Sequence, residues 1–282
     1  MTDDHDGPHE HDLGLSHDLP ALLNRRRALG LLTGAGLAAA LAACSGNDSS
    51  GPSATTSTPS SASPSASGTT TSSVAGEVPE ETGGPFPADG SNGVNVLTES
   101  GVVRSDIRSS FGGTSTTAEG VEVTIELAIF DMNGSDVSPY EGAAVYLWHC
   151  DREGRYSMYD SEIADENYLR GVQAADADGK LTFTSIFPAA YPGRWPHIHF
   201  EVYKTAADAQ KATNKLRTSQ IALPEDACNL VYASSGYEES ASTMKQTTLD
   251  SDMVFSDGHS LQMAAVTGTV DDGMTIKLNV AV

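Results

Sequence analysis

Two histidines one residue apart, His197 and His199, stand in the run Tyr191-Pro192-Gly193-Arg194-Trp195-Pro196-His197-Ile198-His199-Phe200. On an extended strand, residues two apart share a face. Both imidazoles can therefore reach one point while Ile198 and Phe200 turn to a core. Two neutral imidazoles at this spacing suit iron, copper, zinc or nickel, and they equally suit a structural His-x-His pair. Tyr191 lies just upstream in a Pro- and Gly-containing loop, and Tyr156 lies in Gly154-Arg155-Tyr156-Ser157. A phenolate is a hard anionic oxygen donor, and coordination lowers its pKa as it does that of a metal-bound water. Two phenolates with two imidazoles neutralise most of the charge of Fe(III) and favour it over Fe(II).

Something must hold these side chains, and the sequence reads as strands. Residues 121–130 nearly alternate between apolar and polar types and are rich in β-branched side chains, the pattern of a strand with one buried face. Residues 142–149, 181–186, 197–203, 218–223, 264–270 and 274–282 are further strand candidates. Asn133-Gly134 is a turn signal, and Asp178-Gly179 is a hairpin signal. Only residues 206–216 look helical. Many short strands with turns between them predict an all-β fold, an antiparallel sandwich or barrel with long loops and few short helices. No Gly-rich phosphate loop follows a strand, which argues against nucleotide chemistry. No Gly-x-Ser-x-Gly nucleophile elbow is present.

The chain has 282 residues and a formal net charge of −22. Such acidity excludes nucleic acid as a natural partner, since phosphates need Lys and Arg. It equally argues against docking on an anionic membrane through basic patches. Residues 1–44 read as an export signal. Arg25-Arg26-Arg27 precedes an apolar run from Ala28 to Ala43 that is too short to span a bilayer comfortably. The arginines suggest the twin-arginine route, with the general secretory route also open because Asn24 stands where Ser or Thr is usual. Leu41-Ala42-Ala43-Cys44 looks like a lipobox, with Cys44 lipidated as the new N-terminus. His5, His9, His11 and His17 lie upstream of that point without regular ligand spacing. Losing the three Arg and six acidic residues before Cys44 takes −22 to −19, so the acidity belongs to the exported part. Residues 45–76 are nearly all Ser, Thr, Gly, Ala and Pro and read as a flexible tether. Residues 77–282 remain for one folded domain. Export implies an oxidising compartment, so Cys150 and Cys228 are expected to form a disulfide.

Several segments together resemble the intradiol ring-cleavage dioxygenases, the family of protocatechuate 3,4-dioxygenase and catechol 1,2-dioxygenase. They are Gly142-Ala143-Ala144-Val145-Tyr146-Leu147-Trp148-His149, Gly154-Arg155-Tyr156-Ser157, and the stretch from Ile186-Phe187-Pro188 to Phe200. Thr82-Gly83-Gly84-Pro85-Phe86 and Val103-Arg104-Ser105-Asp106-Ile107 are similar to the family's opening segment. The resemblance implies a β-sandwich core and a non-haem Fe(III) held by Tyr156, Tyr191, His197 and His199. It implies further that Arg194 is an active-site arginine, that Gln220 lies beside it, and that Trp148 forms a pocket wall. Tyr191 would double as a base toward a catechol-type diol, with O2 as co-substrate and a muconate-type diacid as product. Tyr159 and Tyr168 are expected to pack or face solvent. His149 is expected to be structural or pocket-lining, and His259 a loop residue. The loop between Tyr191 and His197 is shorter than in the family's better-known enzymes, which implies a more open pocket. Self-association into a homo-oligomer is left open. The rival readings are a lipid-anchored phenolic-binding protein, a copper or zinc site on the same sandwich, and an adhesive domain without chemistry.

Overall fold

A computed structural model describes residues 74–282. The export signal, Cys44, the upstream histidines and nearly all of the tether lie outside the described residues.

Among the described residues, nine strands build two sheets. In chain order they are β1 (Glu122–Asn133), β2 (Asp136–Pro139), β3 (Ala144–Trp148), β4 (Arg170–Ala174), β5 (Lys180–Ile186), β6 (His197–Tyr203), β7 (Lys215–Ala222), β8 (Ala265–Thr269) and β9 (Gly273–Ala281). One sheet runs β2-β1-β9-β8, with β5 also paired to β1; the other runs β4-β3-β6-β7. The pairs are antiparallel except β1 with β9, which is parallel from Val123↔Met274 to Phe130↔Ala281. The expected antiparallel sandwich thus holds with one exception.

Alternation explains the packing. Val123, Ile125, Leu127 and Ile129 of β1 face Val145, Leu147, Ile198, Phe200 and Val202 of the other sheet in one continuous core. Strands β3 and β6 are buried along their whole length, so their outward residues are covered too. That cover is the segment from Phe86 to Phe111, whose Ala88, Val96, Leu97 and Val102 pack on Ala144, Tyr146, Trp148 and Tyr203. The N-terminal part of the domain is therefore a second layer over the outer face of the four-stranded sheet. His197, His199, Glu201 and Tyr203 all lie on that outer face.

Three sequence expectations are corrected. Residues 206–216 form only a four-residue helix, α1 (Ala206–Ala209), capped by Thr205 Oγ1 accepting from Asp208 N. The short antiparallel return from β6 to β7 recruits Lys215 and Leu216 into strand pairing instead. Asp178-Gly179 makes a tight turn, with Gly179 N donating to Asp176 O, yet β4 and β5 on either side belong to different sheets. The turn carries the chain across the sandwich rather than closing a hairpin. Cys150 and Cys228 are both free, buried thiols, so the expected bridge is not formed. The Cys150 thiol points at the Ala189 carbonyl, 3.7 Å away, and packs with the outer-face cluster. Cys228 faces the core between the sheets. Burial pushes both thiols well above their ordinary pKa.

Two helices lie beyond the sequence reading: α2 (Glu225–Tyr232) and α3 (Glu238–Thr243). They form an arm after β7.

Candidate metal centre

Strand register sets one row of the site. Trp148 of β3 pairs with His199 of β6, and His199 pairs with Gln220 of β7. All three point outward from the sandwich core. The Trp148 indole stacks on the His199 ring at 4.9 Å and 4° and has no exposed surface. Trp148 is thus a platform behind the imidazole, sealed by Tyr146 at 4.9 Å on its other side, where the resemblance implied a pocket wall.

Tyr156 enters from the loop after β3. Asp151 shapes that loop: its Oδ1 accepts from Glu153 N and Arg155 N, and its Oδ2 accepts from Arg155 Nε. Ser157, next to Tyr156, is pinned by Arg170, whose Nε donates to Ser157 Oγ at 3.0 Å and whose NH2 donates to Ser157 O at 2.8 Å. Arg170 is buried and also donates to the carbonyls of Phe86 and Pro87. It ties the covering segment to the Tyr156 loop. No sequence signal marks it.

Four donor atoms converge. Tyr156 Oη lies 3.3 Å from Tyr191 Oη. Tyr191 Oη lies 3.0 Å from His197 Nε2. His197 Nε2 lies 3.1 Å from His199 Nε2. His197 Nδ1–H donates to the Trp195 carbonyl at 2.5 Å, which leaves the lone pair on Nε2. One lone pair thus faces a phenol, a second imidazole and the Arg194 NH1 group at 3.4 Å. A hydrogen-bond chain cannot satisfy that crowding, whereas donors sharing a first-row metal at about 2 Å sit roughly 3 Å from one another. The residues fit a metal ion on this ground. Among the described residues no cluster of three His, Cys, Asp or Glu side chains forms a metal site; the convergence depends on the two phenols.

The electrostatics agree. Burial, then Arg194, holds His197 well below the ordinary imidazole pKa; burial, then His197, does the same for His199. Both are neutral and available as ligands. Burial raises Tyr156 well above its ordinary value and Tyr191 to about 12 against the opposing pull of Arg194. Without a compensating cation both phenols stay protonated.

Arg194 and Gln220 meet as expected: Arg194 NH2 donates to Gln220 Oε1 at 2.6 Å, and Gln220 Nε2 donates to Thr82 O at 2.9 Å. Asp252 is an unforeseen member. Fully buried, it accepts from Arg194 Nε at 2.9 Å and from Trp195 N at 2.7 Å. Val254 N and Phe255 N donate to its other oxygen. It fixes the guanidinium beside His197.

Of the four donor-bearing residues, only Tyr191 is partly exposed, and Pro192 and Gly193 beside it are exposed. Phe86 stands 5.0 Å from the Tyr156 ring. Gly84, at φ +71, passes so close that a Cβ there would meet His199 Cε1 at 3.3 Å. His149 does not join the site. His259 lines a separate cleft of about 480 Å³ behind Trp195. Tyr159 packs over the covering segment, receiving a hydrogen bond from Ala88 N, and the Tyr168 hydroxyl donates to Asp151.

Parts of the chain are similar to known proteins. Residues 109–228 match the sequence model of a family described as Dioxygenase. Catechol 1,2-dioxygenase 1 of Acinetobacter lwoffii is 38% identical over 61 residues, covering 21% of this chain and 20% of that one. Chlorocatechol 1,2-dioxygenase of Pseudomonas sp. (strain P51) is 32% identical over 87 residues, covering 24% and 34%. The chain thus spans about a fifth to a third of the length of these curated relatives. An intradiol ring-cleavage dioxygenase from Tetranychus urticae superposes with a TM-score of 0.53 at 25% identity, over 65% of this chain and 87% of that one.

Proposed function

We propose that this chain, whose residues 109–228 are a dioxygenase-family segment, is a non-haem iron enzyme that opens the ring of catechol-type diols between the two hydroxyl-bearing carbons. The observation that carries this reading is the convergence of Tyr156 Oη, Tyr191 Oη, His197 Nε2 and His199 Nε2 within 3.0–3.3 Å steps. A ferric ion held by these four residues would supply a Lewis acid that draws charge from a bound diol and makes its ring reactive toward dioxygen.

The side chains divide the remaining work. Tyr191, alone of the four in being partly exposed, is placed to take up a diol proton at its Oη. Tyr156, buried and held through Ser157, keeps its position. Arg194 presents NH1 at the centre and is placed to stabilise negative charge that develops there. Asp252 and Gln220 keep that guanidinium from turning. Trp148 and the covering segment exclude water from the rear of His199. Both atoms of O2 end in the diacid, so no external reductant is needed.

The test is optical and chemical. Purified chain loaded with Fe(III) is expected to show a broad visible absorption that shifts when catechol is added without oxygen. Admitting 18O2 should then yield an acyclic diacid carrying two labelled oxygens. Protein that stays colourless after iron loading would remove this reading and favour a phenolic-binding or copper or zinc protein.

The N-terminal sequence supports a companion proposal: export, with attachment to the outer face of a bacterial membrane through lipidated Cys44. Cys44→Ser is expected to release the protein from the membrane fraction. Unchanged membrane association would discard the anchor.

A further inference from the structure

Residues 187–191 bring Tyr191 to the site without belonging to any strand. Such a segment has no ladder to satisfy its backbone, and buried N–H and C=O groups need partners. Here nearly every one is met. Phe187 N donates to Val121 O at 2.8 Å. Phe187 O accepts from Tyr237 Oη at 2.7 Å. Pro188 O accepts from Tyr232 Oη at 3.0 Å. Ala189 N donates to Asp151 O at 3.1 Å, and Ala190 N donates to Ser240 Oγ at 3.1 Å.

Three of these partners come from the α2–α3 arm, and all three lie beyond residue 228, where the family match ends. Tyr232, Tyr237 and Ser240 are at most 3% exposed. Tyr237 also accepts from Val121 N, so its hydroxyl joins the start of β1 to the Tyr191 segment. The Tyr232 ring meets Phe187 edge-on at 5.9 Å and stacks with Tyr237 at 5.8 Å. Tyr191 itself has an exposed side and cannot rely on enclosure to stay in place.

We propose that Tyr232, Tyr237 and Ser240 are positioning residues for Tyr191. They clamp the backbone of residues 187–190, so that the phenol moves about its own side-chain torsions while its anchor stays still. The proposal rests on the reading of Tyr191 as a donor of the metal centre. A group that must release a contact and return to it needs a fixed pivot, and displacement of reacting groups by an ångström costs on the order of a hundredfold in rate.

The experiment uses the full chain with 3-fluorotyrosine placed at position 191 or, separately, at 156. Fluorine NMR of the metal-free protein is recorded for Tyr237→Phe, Ser240→Ala and the double variant. The expected result is a shift or broadening at 191, larger in the double variant, with a clearly smaller change at 156, whose hydroxyl only touches that of Tyr191. In iron-loaded protein, kcat should fall about tenfold in the double variant with little change in KM. An unmoved 191 resonance overturns the proposal, as does equal movement at 191 and 156, which would mark the arm as mere structural support. If the double variant does not fold, Ser240→Ala alone, which removes one hydroxyl, decides in the same way. A response at 191 in a protein that never binds iron would keep the clamp and sink the dioxygenase reading. Iron binding and ring cleavage without a response at 191 would do the reverse.

Discussion

His149 and the pair His197/His199 are buried alike, but their surroundings differ. His149 has a partner on each nitrogen: Nδ1–H donates to Cys150 O and Nε2 accepts from Ser185 Oγ, both at 2.7 Å. Ser185 belongs to β5, so this imidazole stitches one sheet to the other. His197 has one nitrogen tied to a carbonyl and the other facing too many neighbours. His199 turns its Nε2 to that same point, 3.1 Å from His197 Nε2, and its Nδ1, on the other side of the ring, has no hydrogen-bond partner among the described residues. A satisfied histidine closes a hydrogen-bond account between two protein elements. An unsatisfied pair aimed at a common point leaves coordination for something else to complete.

That contrast can be broken or sharpened by substitution. The largest expected effect is on metal binding in His197→Ala. It removes a donor atom, so affinity should fall by more than the roughly 10- to 100-fold seen when a ligand merely loses its outer partner. Isothermal titration with Fe(III) reads this, and full retention of iron and colour would take His197 out of the donor set. His149→Ala should behave in the opposite way. It leaves the buried Ser185 hydroxyl and Cys150 carbonyl unpaired, costing about 2–3 kcal/mol in urea denaturation, while iron affinity stays unchanged.

A pH series tests whether these buried histidines are neutral. Burial pulls His149 from 6.5 to about 4, so the unfolded chain binds a proton that the folded one refuses. Its contribution is whole above pH 6.5 and is lost as pH falls toward 4, with a total of roughly 3 kcal/mol. His197 and His199 act in the same direction in metal-free protein. The urea midpoint should therefore drop between pH 6.5 and 4, less steeply in His149→Ala. Identical slopes in the two proteins would contradict the buried neutral state. The smallest effect is expected from Gly84→Ala. A side chain in this left-handed conformation costs about 1–2 kcal/mol and presses on His199, so iron affinity should weaken only a few-fold. Unchanged affinity would show that the imidazole yields freely.

The period-two spacing of His197 and His199 made the heart of the site legible, because strand geometry alone decides which face they share. The alternation of residues 121–130 gave the inner wall for the same reason. Asp252 was invisible: a carboxylate 58 positions from its arginine, in a loop, carries no periodic signature. Arg170 lies outside every strand candidate read from the sequence, and nothing local says that Phe86 and Pro87 will fold back onto it. Trp148 was seen in the right place, but sequence spacing fixes a face and not what covers it. The overlong helix at 206–216 failed where a tight β6–β7 return outweighed local helix propensity. Tyr232 and Tyr237 became meaningful only once α2 and α3 were found beneath the Tyr191 segment.

The parallel pairing of β9 with β1 has a consequence for how the molecule comes into being. β9 lies between β1 and β8, so the sheet cannot be completed until residues 273–281 have emerged from the ribosome. Until then β1 presents an open edge from Val123 to Phe130, a template for pairing with another nascent chain. Contacts of such sequence separation form slowly. The domain therefore carries its largest pairing hazard while its last strand is still missing.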